Sequence, residues 1–347
     1  VGLPFGITSW GAYVPSARIQ ADVIAQAHGQ DGTFLQNNLG IRQKSVPGVG
    51  EDAVTMAVSA GVGALLRATI QATELQAVYV GSESHPYAVK PSASMVSQAL
   101  GVGKQCMAAD LQFACKAGTA GLQVVMGLVG AGIIDQGMAI GSDTAQGRPG
   151  DALEYTAGAG AAAFTVGSDS NKIIAQCHAT LSITTDTPDF WRRPGQQFPE
   201  HGERFTGVPS YVAHITDALE AIFQKTTMKA TDFQHVILHQ PNGKFPVLVA
   251  KKFGFTEQQL QQGMLVADIG NCYAASSMLG FASVLDVAKP GEHILLVSYG
   301  SGAGSDAFVF TIEKPILTLQ KGKTLRTHLA DTELFIDYTT YQTRIHG

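Results

Sequence analysis

A layered α/β fold built from two similar units is predicted by three observations. Apolar runs of strand length alternate with segments of helical apolar spacing along most of the 347 residues. The strand-like runs end repeatedly in polar, glycine-bearing loops. The order of these pieces in the first half returns in the second. Composition agrees: 45% of residues are hydrophobic, only 15% are charged and 39 are glycine, where soluble proteins average about 25% charge and about 7% glycine. So little charge covers only a modest surface, which predicts a compact, deeply buried and oligomeric chain. At roughly 100–200 residues per domain the length suits two units, expected at 1–168 and 169–347.

The elements follow in order. Val54, Ala57, Val58, Gly61, Leu65 and Ala68 recur at helical spacing and predict a helix across 52–72. The apolar run 75–80 reads as a buried strand ending at Gly81, with a polar loop to Pro91 and a helix at 92–100. A strand at 106–111 leads into an Ala/Gly-rich helix starting near Cys115, and a strand at 135–140 ends in Gly141-Ser142-Asp143. In the second half a helix at 211–225 precedes a strand at 235–238 and the polar loop 239–244. A helix at 245–253, the turn Ile269-Gly270-Asn271, a helix at 274–287 and a strand at 293–298 complete it, before the glycine-rich turn 300–305 and Asp306. The segment 334–338 and Tyr341 read as an edge or docking element.

Several function classes are excluded. With 23 Lys and Arg against 28 Asp and Glu, the net charge of −5 offers no broad basic face to nucleic acid or an anionic membrane. The first thirty residues hold no apolar core of a secretory leader. The longest uncharged apolar stretch, 117–134, contains five glycines, Thr119 and Gln123, so a packed core helix plus a turn is expected there and not a membrane span. Cys106, Cys115, Cys177 and Cys272 are irregularly spaced without a CxxC, which reads as reduced thiols of a cytoplasmic protein.

Candidate chemistry sits at the ends of strands. Cys115 lies where a strand gives way to a helix; there the positive end of the helix dipole lowers a thiol's pKa, although a lone Cys in a tight corner is commonly a packing residue. His239 ends a strand in His239-Gln240-Pro241-Asn242-Gly243-Lys244, placed for acid–base work or carbonyl polarisation, or else a capped loop histidine. His235 shares its strand face, but no third ligand accompanies the pair, so no metal is expected. Glu83 follows a strand and can act as a base if desolvated, or be an ordinary solvated carboxylate. The turn Gly300–Ser305 lacks the Lys of a P-loop and Rossmann spacing; its N–H groups suit an oxyanion hole, or the glycines merely permit a tight turn. Three polar sites at strand ends of an apolar chain are together more telling than any one, because active sites of open α/β folds gather there.

Together these stretches resemble the thiolase-like condensing enzymes, and within them the hydroxymethylglutaryl-CoA synthases of the archaeal type. The resemblance runs nearly end to end and rests on Gly81-Ser82-Glu83-Ser84-His85-Pro86-Tyr87, Phe113-Ala114-Cys115-Lys116-Ala117-Gly118, Thr185 through Arg192, the His239 loop, Gly270-Asn271-Cys272-Tyr273 and Gly300 through Asp306. It implies two similar βαβαβαββ halves layered α-β-α-β-α, with Cys115 and Glu83 in the first and His239 and Asn271 in the second. It further implies that Cys115 takes acetyl from acetyl-CoA, with the acetyl oxygen against N–H groups near Cys115 and the Gly300–Gly304 turn. Glu83 then deprotonates the acetyl methyl, the enolate attacks the ketone of acetoacetyl-CoA polarised and protonated by His239, and water releases 3-hydroxy-3-methylglutaryl-CoA. Asn271, Tyr273, Ser276, Asp189, Arg192, Lys244 and Gly302 are the implied substrate-binding residues; no cofactor beyond the coenzyme A thioesters is implied. A homodimer is implied, and a complex with an acetoacetyl-CoA thiolase and a small zinc-binding OB-fold protein. Cys272 stands where the family usually has Thr, which suggests an oxidation-sensitive pocket, and Gln112 where an acidic residue is common.

Within the same fold the rival is a ketoacyl-acyl-carrier-protein synthase of the initiating type, whose partner loses carbon dioxide and so needs no base; Glu83 in its setting disfavours it. Chalcone-type synthases fit the surrounding motifs less well. A non-catalytic acyl-CoA-binding subunit is expected to lack Cys115, Glu83 or His239, and all three are present.

Overall fold

The structure is a computed structural model that describes residues 4–202, 206–302 and 304–346. In chain order the strands are β1 (Gly6–Tyr13), β2 (Ala17–Gln20), β3 (Gln43–Ser45), β4 (Ala77–Gly81), β5 (Met107–Leu111), β6 (Gln136–Asp143) and β7 (Gly160–Gly167), then β8 (Ala175–Thr184), β9 (Phe190–Trp191), β10 (Glu200–His201), β11 (His235–Leu238), β12 (His293–Val297), β13 (Gly304–Ile312) and β14 (Leu334–Phe335). Nine of them form one sheet in the order β11-β12-β13-β8-β1-β7-β6-β4-β5.

The repeat expected from the sequence is visible in this order. In the first unit β4 runs parallel to β5 and β6, and β7 returns antiparallel between β6 and β1. In the second, β11 is parallel to β12, and β13 returns antiparallel between β12 and β8. The units meet where β1 pairs with β8 through Gly6–Gln176 and Ile7–Ala175. Among the described residues no strand of the second unit corresponds to β5; the short helices Glu257–Gln261 and Val266–Ile269 take its place in the chain.

Three apolar cores give the layers. The Ala53–Ala68 helix, capped by reciprocal bonds between Asp52 and Thr55, buries Met56, Ala60 and Ala64 against Val78, Met138 and Ile140 on the outer face of the first unit. The helix Ala213–Thr226 does the same for the second unit, with Ile215, Leu219 and Ile222 against Val236 and Val309. Between the units lies the largest core, where Leu122 and Val125 of the Ala117–Gly130 helix and Met278, Phe281 and Leu285 of the Ser276–Leu285 helix meet Phe164, Phe308 and Phe310. Each such large apolar side chain contributes roughly 1.5–3 kcal/mol when fully buried. The starts of the two central helices approach closely because Gly118 and Gly141 lack side chains: a Cβ on Gly118 would lie 2.4 Å from Met278 Sδ, and one on Gly141 2.3 Å from Ala274 O.

Some expectations shift. The central helices begin at Ala117 and Ser276, later than the sequence pattern predicts, because each is preceded by a tight turn. β1, β7 and β8 have no counterpart in the apolar pattern, although the βαβαβαββ halves implied by the resemblance include such strands. All eight residues of β7 are buried, so both faces are apolar or small and no alternation marks it as a strand. The tail docks: β14 pairs with β2, and Tyr341 is fully buried, accepting a hydrogen bond from Lys44 Nζ at 2.8 Å.

Candidate active site

The two central helices start from the same backbone device. Ala114 and Tyr273 both have left-handed backbones, with φ of 42° and 48°, and each lies three residues before the first residue of its helix. A non-glycine residue held there costs of order 1–3 kcal/mol and persists only where its surroundings fix it. In the first unit the residue after the strained position is Cys115; in the second it is Ala274.

Cys115 is 4% exposed, and its thiol donates to Glu83 Oε1 at 3.3 Å. The sequence position predicts a lowered thiol pKa, but burial and the adjoining Glu83 carboxylate push it well above the ordinary value. Burial, with the nearby Asp143 charge, likewise raises Glu83 well above the usual carboxylate range, against the Cys115 hydrogen bond and Arg192. The resting site therefore holds a neutral thiol hydrogen-bonded to a carboxylate that readily takes a proton.

Two buried aspartates hold this arrangement. Asp143 Oδ1 accepts from Ser82 Oγ (2.7 Å), Glu83 N (2.9 Å), Ser84 N (3.0 Å) and Ser84 Oγ (2.6 Å), while Oδ2 accepts from Ala274 N at 2.7 Å. It thus orients the Glu83 loop and the strained turn of the other unit. Asp306 reaches in the opposite direction: it accepts from Lys116 Nζ at 2.9 Å and Thr119 Oγ1 at 2.8 Å, next to Cys115, and from Ser182 Oγ at 2.8 Å.

Cys115, His239, Asn271 and Tyr273 line one cavity of about 400 Å³, whose apolar walls include Leu39, Leu153 and Phe245. His239 is almost fully buried, which lowers its pKa from 6.5 to about 3, so the imidazole is neutral. Tyr211 Oη donates to its carbonyl at 2.5 Å, and among the described residues its Nδ1 has no partner. Asn271 Oδ1 accepts from Tyr273 N at 2.9 Å and helps impose the strained turn. A neutral thiol, a basic carboxylate and a neutral imidazole beside one apolar cavity can carry out acyl transfer followed by carbon–carbon bond formation.

The other expected residues fall outside this cluster, each with a visible cause. Asp189 is buried beneath the glycine turn, accepting from Thr187 Oγ1 (2.8 Å), Tyr299 Oη (2.8 Å) and Gly302 N (2.7 Å). The Gly302 amide is therefore bonded to Asp189 instead of being directed at the cavity. Gly300 N and Gly304 N bond each other's carbonyls, so these three amides are not available to an oxyanion; Ala303 lies outside the described residues. Ser276 is buried at the first position of its helix and does not line the cavity. Lys244 is exposed beside the loop, its backbone N–H bonded to Asn242 Oδ1. Arg192 lines a second cavity with Glu83, its Nη2 3.5 Å from the Glu83 carbonyl. Cys272 is fully buried and lines neither cavity, with its pKa raised by burial to about 12, so it gives no oxidation-sensitive wall. His235 pairs with Glu292 at 3.3 Å, and among the described residues no cluster of three His, Cys, Asp or Glu could hold a metal. Sequence reasoning missed Lys116 as an ion-pair partner and Tyr211 and Tyr299 as walls, whereas Phe190 lies in the 185–192 stretch that it singled out. Only the Lys116 charge inside an apolar run could have signalled its role.

Known proteins show the same organisation. Residues 223–312 match the family model described as 3-oxoacyl-[acyl-carrier-protein (ACP)] synthase III C terminal. The structure superposes on a crystal structure of HMG-CoA synthase complexed with CoA at a TM-score of 0.90 with 24% identity, covering 99% of this chain and 91% of that one. It superposes on 3-oxoacyl-(acyl carrier protein) synthase III of Pseudomonas aeruginosa PAO1 at 0.82 with 21% identity, covering 90% and 99%. Likenesses at this identity speak for the fold, which is thiolase-like. In sequence, the hydroxymethylglutaryl-CoA synthase of Archaeoglobus fulgidus is 51% identical over 97% of both chains. That of Methanosphaera stadtmanae is 50% identical over 97% of this chain and 96% of its own. With half its residues shared along almost the whole length of such relatives, the chain belongs to the hydroxymethylglutaryl-CoA synthase family, archaeal type.

Proposed function

We propose that the chain condenses acetyl-CoA with acetoacetyl-CoA and water, giving 3-hydroxy-3-methylglutaryl-CoA and free CoA, as a step toward mevalonate and isoprenoids. The observation that carries this reading is the contact of the Cys115 thiol with the Glu83 carboxylate. Cys115 Sγ attacks the acetyl carbonyl, and the thiol proton leaves with CoA. Glu83, ionised and desolvated, removes a proton from the acetyl methyl. The enolate bonds to the ketone carbon of acetoacetyl-CoA while neutral His239 donates to the ketone oxygen. The alkoxide takes a proton from His239, and the proton held by Glu83 restores the imidazole and leaves Glu83 ionised. Hydrolysis of the Cys115 thioester ends the cycle.

The chain is read as two halves, 1–168 with Cys115 and Glu83 and 169–347 with His239 and Asn271. Arg192 and Lys244 are assigned to the anionic parts of the thioesters, and Asn271 and Tyr273 to their reacting ends. A homodimer is part of the proposal, supported by the charge-poor composition and by β5, an edge strand with Met107 exposed. So are a cytoplasmic location, supported by four free cysteines, and association with an acetoacetyl-CoA thiolase and a zinc-binding OB-fold protein, which rests on the family resemblance. No helix among the described residues is long and apolar enough to cross a membrane.

The decarboxylating alternative is favoured by the match of residues 223–312 alone. Offering acetyl-CoA with acetoacetyl-CoA, and separately with malonyl-carrier protein, decides between them. A ketoacyl product from the second mixture with none from the first overturns the assignment.

A further inference from the structure

Cys115 lines one cavity, and Glu83, which accepts the thiol's hydrogen bond, lines another of different character. The first, of about 400 Å³, holds Cys115, His239 and Asn271 within apolar walls. The second, of about 510 Å³, opens on the Glu83 side, where the polar groups Gln112, Thr144, Gln146 and Arg192 share the wall with apolar ones such as Phe113 and Trp191. Phe190 and Ser301 line both and separate them. Gln146 Nε2 donates to Thr144 O at 3.1 Å, whereas its Oε1 is buried with no partner among the described residues. An acceptor so placed favours a small O–H donor, and a buried water is stable only where several polar groups converge.

We propose that this second chamber is the water route for the hydrolytic step, an inference that rests on the reaction proposed above. After condensation Cys115 carries an acyl group whose far end is still a coenzyme A thioester. That coenzyme A occupies the apolar cavity and blocks solvent from the His239 side. The Glu83 side stays open and wets the opposite face of the Cys115 thioester. A water oxygen from the chamber bonds to the thioester carbon and the C–S bond to Cys115 breaks. The water gives one proton to Glu83, which passes it to Cys115 Sγ across the 3.3 Å contact. The carboxylic acid formed ionises beside Arg192, and the product departs with its coenzyme A through the apolar cavity.

The test fills or dries the chamber while leaving the apolar cavity intact. Gln112→Trp fills it; Gln146→Leu removes the buried acceptor at nearly unchanged volume. Each variant is mixed with acetyl-CoA and then acetoacetyl-CoA, and intact protein mass is followed with product release. Both variants are expected to acetylate like the parent and to accumulate the covalent condensation adduct. Turnover should fall about tenfold in Gln112→Trp and a few-fold in Gln146→Leu. Normal product release without the adduct, in either variant, overturns the route. Loss of acetylation in Gln112→Trp would also overturn it, by placing acetyl-CoA entry on this side. The parent protein is run alongside: if it makes no 3-hydroxy-3-methylglutaryl-CoA, the reaction itself is refuted, independently of the route.

Discussion

The turns at Ala114-Cys115 and Tyr273-Ala274 are one backbone device put to two uses. Both strain a non-glycine residue, both open a central helix three residues later, and both lie at the same end of the sheet. The first presents the thiol assigned as the nucleophile. The second presents an alanine, and contributes its backbone N–H to Asp143 and the neighbouring Asn271 and Tyr273 to the cavity. The difference shows that geometry alone does not make a nucleophile: the first turn offers a thiol that hydrogen-bonds to Glu83, while the second is fastened through its backbone to Asp143.

The largest effect should come from moving the thiol. Cys115→Ala is expected to lose turnover by about 10⁴-fold or more, and adding Ala274→Cys should restore neither activity nor an acetyl mass. Acetylation of residue 274 would show that the turns are interchangeable.

Glu83→Ala should still acetylate but condense about 10²–10⁴-fold more slowly; failure to acetylate would give Glu83 a different task. Because its pKa is raised, the base form is lost at higher pH than for an ordinary carboxylate. The acid limb of kcat/KM should therefore lie above the usual carboxylate range. Asp143→Asn, by removing a like charge, should shift that limb to lower pH.

The two aspartates allow a finer comparison, since Asp306 binds a charge and Asp143 only neutral donors. Lys116→Met, which leaves Asp306 without its cation, should cost about 3 kcal/mol in denaturant unfolding. Ser84→Ala at Asp143 should cost about 1 kcal/mol. Equal losses would mean that the charge adds nothing to the clasp.

His239 gives an effect that is absent near neutral pH and grows only in acid. Its folded pKa of about 3 lies below the ordinary 6.5. Below pH 6.5 the unfolded chain therefore takes up a proton that the folded one refuses. Stability should be undiminished above pH 6.5 and fall as pH drops toward 3, less steeply in His239→Gln. Identical Tm profiles from pH 7 to 4 would contradict this.

Much of this was legible in the sequence, for physical reasons. The helices at 92–100 and 245–253 have one apolar face and clear stops, the strand at 235–238 is a short apolar run between polar stretches, and all three fall where the pattern puts them. β7 was not legible, because Gly160–Gly167 is buried on both faces and carries no period. Within the site, Cys115, Glu83 and His239 announce themselves as polar groups at strand ends. Asp189 and Gly302 look alike in a motif whether they bind a ligand or each other, and only coordinates show that Asp189 holds the Gly302 amide. Lys116 was obscured because its partner, Asp306, lies 190 positions away.

The crossing of Asp143 and Asp306 also constrains the molecule's history. Each half seats its central helix on an acid owned by the other, so neither half can be exchanged or drift alone. A replacement that is conservative within one half would strand a buried carboxylate in its neighbour. The molecule has several cores but is a single unit of inheritance.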